Sequence, residues 1–131
     1  MNRLHLTPSY VTTDVPETGA NTETVVNTTP VILSELDSPQ VILTGSVQYT
    51  PPAAITSLTV RVRRDSLTGT LVGEAIIDAA DPVATKLGSI PFDFLDLPPG
   101  QFARSYVLTV QGAGEGGAGT CNSSSLTTIV G

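Results

Sequence analysis

The chain has 131 residues, enough for one domain that can bury a core without a metal or a disulfide staple. Its balance is acidic, six Lys and Arg against twelve Asp and Glu for a net charge of −6, which disfavours nucleic acid and anionic membranes as partners. Thr, Val and Ile together supply 40 residues, interrupted by ten Pro and twelve Gly, so no stretch keeps a helical period and an all-β protein is predicted.

Met1–Thr22 is rich in Thr, Pro and Asn, and its apolar residues (Leu4, Leu6, Tyr10, Val11, Val15) follow no period. It reads as an extended N-terminal arm, ordered only where it is tied down, on its own domain or on a neighbouring subunit. Arg3 is followed by mixed polar residues rather than an apolar run, so no signal peptide is expected. The single Cys121 permits no disulfide within the chain.

Residues 23–131 are expected to form the β-domain. Thr24–Leu33 is strand-like, with Pro30 as an interruption that suits an edge or a bulge. Asp37-Ser-Pro39 signals a turn. Val41–Tyr49 alternates, with Val41, Leu43, Val47 and Tyr49 on one face, Ile42 as the exception, and Gly45 at a bulge or a close backbone approach. Ile55–Arg64 has the cleanest alternation: Leu58, Val60 and Val62 face a dry side, Thr59, Arg61 and Arg63 a wet one. A turn at Asp65–Gly69 leads to a short strand at Thr70–Ile77 that can pair back. Leu87–Leu95 brings Phe92 and Phe94 to the expected packing centre, and Ala103–Gln111 points Tyr106, Leu108 and Val110 inward. A Gly-rich connection runs to a last strand at Ser124–Val130. Short strands at near-regular spacing predict an antiparallel β-sandwich or barrel.

Candidate chemistry is sparse. Gly112, Gly114 and Gly117 match the spacing of a dinucleotide loop, but a strand pattern follows where a helix is required. Arg61, Arg63 and Arg64 could bind an anion; without interleaved aromatics they fit carboxylate partners better, within the subunit or across an interface. Asp78, Asp81, Asp93 and Asp96 offer oxygen ligands at no calcium-loop spacing and read as turn carboxylates. His5 stands far in sequence from Cys121, and no basic residue near that thiol would activate it. Asn27 and Asn122 head glycosylation-type triplets that have no role without secretion. No acid/base pair or partnered nucleophile emerges, so no enzyme activity, metal or cofactor is expected.

The segments Val41–Tyr49, Leu58–Asp65, Leu67–Glu74 and Arg104–Gly112 resemble small structural proteins of tailed phages, with jelly-roll domains of the tumour-necrosis-factor-like kind. The resemblance covers residues 23–131 and lies in strand order, Thr/Val/Gly composition and loop placement. It implies a jelly-roll virion protein, of the capsid decoration (cement) type, that docks as a homotrimer on the major capsid protein at the capsid surface. The arm would span a joint between neighbours through Leu4, Leu6, Tyr10 and Val11, with Tyr49, Arg61, Arg63 and Tyr106 at subunit contacts. A spike or fibre head that binds a host receptor or glycan is the alternative; the absence of Trp and the presence of only three Tyr count against glycan stacking.

Overall fold

A computed structural model describes residues 5–52, 55–78, 87–114 and 118–131. The strands are β1 (His5–Val11), β2 (Val15–Pro16), β3 (Thr24–Thr28), β4 (Ile32–Ser34), β5 (Val41–Thr50), β6 (Ile55–Arg64), β7 (Leu71–Asp78), β8 (Leu87–Asp96), β9 (Phe102–Arg104), β10 (Tyr106–Gly114) and β11 (Thr120–Val130).

Their pairing is that of one long antiparallel ribbon. β6 pairs with β7, β5 with β8, β4 with β9, β3 with β10, and β1 and β2 with β11. The tip of the ribbon is the turn after Arg64, closed by hydrogen bonds from Arg64 N–H to Thr70 O and from Gly69 N–H to Ser66 O, each 2.9 Å. A Cβ on Gly69 would lie 1.6 Å from Arg64 O, so only glycine fits there. Rolling the ribbon on itself adds the β11–β5 and β10–β6 ladders. Two sheets result, β1-β11-β5-β8 with β2 beside β11, and β3-β10-β6-β7. This is the strand order of a jelly roll, and the expected β-sandwich is the observed fold.

The core lies between the sheets. Val41, Leu43 and Val47 of β5 meet Leu58, Val60 and Val62 of β6 and Leu108 and Val110 of β10, all fully buried. Burial of that kind is worth roughly 1.5–3 kcal/mol per side chain, which makes the alternation of β5 and β6 the main determinant of register. The Phe92 and Phe94 rings stack at 5.6 Å, Phe92 in the core and Phe94 half-buried over Gly73. Pro8 and Pro91 fall on the edge strands β1 and β8, where sheets tolerate proline.

Several expected boundaries shift. Pro30 splits Thr24–Leu33 into β3 and β4, a break at Ser105 separates β9 from β10, and β11 begins four residues before Ser124. The N-terminal segment is tied to its own domain over its described residues. β1 pairs with β11 from His5↔Val130 to Val11↔Ser124, and Asn27 of β3 donates to Ser9 O at 3.0 Å. β1 and β2 belong to the same sheet as β5 and β8.

Gly45 occupies the close approach expected of it. A Cβ there would fall 1.9 Å from Ser125 O, a backbone atom of the central strand that cannot move aside cheaply. Gly45→Ala should therefore lower the urea midpoint by an amount worth about 2 kcal/mol or more, with the m-value unchanged. A shift below about 0.5 kcal/mol would mean that the two strands separate at little cost.

Candidate functional site

Arg61 and Arg63 project from the outer face of the second sheet, as the alternation of β6 requires, and both are paired within the subunit. Arg61 Nε donates to Glu74 Oε2 at 2.7 Å, and its Nη1 donates to Glu23 Oε1 at 3.2 Å and Gln111 Oε1 at 2.7 Å. Arg63 Nε and Thr109 Oγ1 both donate to Glu23 Oε2 at 2.7 Å. Burial alone would raise the Glu23 carboxyl, but the bonds from Arg63 and Thr109 outweigh it and hold the group below the usual carboxylate range. An incoming phosphate or partner carboxylate would have to displace Glu23 and Glu74, so this strand is not an open anion site.

Tyr49 and Tyr106 do not reach the surface. Both are buried, and each hydroxyl donates to a buried carboxylate of its own subunit, Tyr49 to Glu17 and Tyr106 to Asp96 Oδ2 at 2.8 Å. The sequence places them at subunit contacts; in the structure their polar ends are taken up inside the roll. Burial, then the neighbouring carboxylate, raises both phenols above their ordinary range. Glu17 also accepts the N–H of Gly112 and of Gly119, each at 3.1 Å. Asp96 accepts Arg64 Nε at 2.9 Å and Arg64 Nη2 at 2.5 Å. Burial would raise Asp96, yet the bonds from Arg64 and Tyr106 leave it below the usual range.

The remaining sequence candidates separate. Asp96 turns inward while Asp93 is exposed on the outer face of the first sheet, so the two do not converge on one cation. Leu4, Asp81 and Gly117 lie outside the described residues, as does the side chain of Asp78. Gly112 and Gly114 belong to β10, and a strand follows them. Cys121 is buried, and desolvation pushes its thiol up to about 11, which keeps it an unreactive thiol at neutral pH. Asn27 is buried and donates to Ser124 Oγ at 3.1 Å, which removes it as a modification site.

What the subunit does present is apolar surface. On the outer face of the first sheet, the register aligns Leu6 with Ile129, Ile129 with Ile42, and Ile42 with Leu95. With strands about 4.8 Å apart, this makes a row about 14 Å long across the sheet. Leu6 is 63% and Leu95 53% exposed. Ile42, the exception to the alternation of β5, is thus one member of an apolar row. The row runs along the end of the sandwich where β4 and β9 cross from one sheet to the other. Leu33, 73% exposed, projects from β4, Leu36 and Leu97 stand on the two loops beside it, and Leu67 and Leu71 flank the ribbon tip. Two shallow depressions of about 310 and 290 Å³ lie among these loops. Tyr10 and Val11, the other described arm candidates, lie further along β1, Tyr10 exposed and Val11 half-buried.

No protein-family model and no curated protein matches the chain. Among solved structures it is similar to the VP2 subviral particle of infectious bursal disease virus, with a TM-score of 0.65 at 10% identity over 98% of this chain and 33% of that one. It is also similar to the Gx strain structure of the same virus, with a TM-score of 0.52 at 12% identity over 98% and 32% of the two chains. A protein of the disulfide-linked Bacillus endospore appendages aligns at 15% identity over 98% of this chain and 89% of that one, with a TM-score of 0.46. The chain spans about a third of the length of the viral chains it matches. At these identities the likeness is one of fold, the β-sandwich already described.

The Asp96 cluster makes stability pH-dependent in a defined direction. Its folded pKa is depressed, so its contribution is present above the unfolded value, about 3.9, and is lost as pH falls through the folded value. Asp96→Asn, which leaves Arg64 unpaired, should cost about 3–5 kcal/mol at pH 7 and flatten the loss of stability below about pH 4. Urea melts of the two proteins between neutral and acid pH check this; parallel acid limbs would exclude Asp96 as the titrating group.

Proposed function

We propose that this chain is a virion structural protein that decorates a capsid, docking as a homotrimer at the capsid surface and stabilising the particle. The observation that carries the reading is the contrast between its interior and its surface. The described arginines of β6, the buried carboxylates Glu17 and Asp96 and the half-buried Glu23 are paired within the subunit, while aliphatic side chains stand exposed across one end. A surface of this kind serves burial against another protein rather than chemistry on a small molecule. The fold, similar to that of the infectious bursal disease virus VP2 subviral particle, supports the same reading, as does the resemblance to tailed-phage proteins. Cement proteins act by many modest contacts made together, each raising the effective concentration of the next.

Arm exchange between subunits belongs to this proposal. β1 places no residue in the hydrophobic core, so its attachment rests on the β11 ladder and the bonds between Ser9 and β3. A neighbour's β1 could replace it on β11 with the same register. Glycan recognition by a spike or fibre head is less well supported: Tyr49 and Tyr106 are buried, which leaves Tyr10 as the exposed tyrosine.

The reading predicts that the chain co-purifies with virions and sediments, free of them, at three times its monomer mass. A monomer absent from purified particles sinks it.

A further inference from the structure

Among the described residues, exposed carboxylates predominate over exposed cations around the apolar end. Glu35, Asp37 and Asp65 are exposed beside Leu33, Leu36 and Leu67, and Asp93 lies one row in from Leu95. The guanidiniums described at this end are half-buried. Arg64 is held by Asp96, and Arg104 lies over the Phe102 ring at 5.7 Å. Two copies meeting through this end would set acidic rims against each other, a like-charge arrangement that interfaces avoid. Among the described residues, Arg61 and Arg63 of a second copy are poorly placed to complement it, because Glu23 and Glu74 neutralise them.

We infer that the end of the sandwich bearing β4, β9 and the ribbon tip is a docking surface for a different protein, one whose own apolar patch is bordered by Lys and Arg. The inference rests on the assembly reading above and gives that assembly its polarity: this end inward toward the partner, the Glu17 end outward. Exposed aliphatics supply the burial and the acidic rim supplies orientation, attraction at a distance and rejection of the wrong partner. The contact weakens with added salt, because the rim charges are solvated.

A fluorescently labelled amphipathic peptide with a leucine face bordered by lysines, and its twin bordered by glutamates, test this. Anisotropy titration should show the lysine peptide binding at least about tenfold more tightly than its twin, with affinity falling as salt is added. Leu33→Ser with Leu97→Ser, both at exposed positions, should weaken that binding by about tenfold or more, while Ile76→Ser, exposed on the outer face of the second sheet, leaves it unchanged. Equal binding of the two peptides, or binding that survives the double substitution, overturns the inference. So does self-association in sedimentation equilibrium that the double substitution abolishes, which would make a second copy the occupant. If the peptide results hold but the chain is absent from virions, the capsid reading falls and the docking surface stands; virion association that survives the double substitution gives the reverse.

Discussion

A ribbon rolled into a sandwich must be closed where its strands diverge, at the two ends. In this chain each end is closed by one buried carboxylate beneath a tyrosine hydroxyl: Glu17 with Tyr49 at one end, Asp96 with Tyr106 at the other. Taking a carboxylate out of water costs several kcal/mol, and only a full set of donors offsets it. Glu17 gathers donors from Tyr49 and from the N–H groups of Gly112 and Gly119, so it joins the first residues after β2 to β5, β10 and the entry to β11. Asp96 gathers Arg64 and Tyr106 and so joins β8 to β6 and β10, across the two sheets.

The two outer faces follow from what the core leaves over. Alternation in β6 sends its arginines outward, where Glu23 and Glu74 neutralise them, and this face is satisfied by itself. Alternation in β5 and β8 sends Ile42 and Leu95 outward, where both remain exposed. One outer face is dominated by ion pairs, with Ile76 as an exposed aliphatic among them, and the other by an apolar row.

The strands that alternate cleanly were legible in the sequence. β6 runs over the expected Ile55–Arg64, and Leu58, Val60 and Val62 are buried as their spacing requires. β1 was not legible, because Leu6, Pro8 and Tyr10 on one face and Thr7, Ser9 and Val11 on the other mix apolar and polar residues on both sides. Its strand character comes from a ladder to β11, which no local pattern reports. The burial of Tyr49 and Tyr106 is not legible either, because their carboxylate partners arrive only through the topology. The apolar row left one trace, Ile42 out of phase in β5; that it aligns with Leu6, Ile129 and Leu95 depends on three strand registers that only the fold provides.

The nested pairing also dictates an order of events during synthesis. The β6–β7 hairpin can close as soon as its tip has been made, and each later strand finds its ribbon partner already waiting, β8 for β5 and β10 for β3. β11 is different, since it lies between β1 and β5 and supplies the middle of the first sheet. Until it emerges, β1 has no ladder to join and β5 shows a bare edge. Long-range pairings of this sort are slow to form and expose strand edges while they wait. The growing chain therefore passes through a stage in which its first sheet lacks the strand that joins β1 to β5.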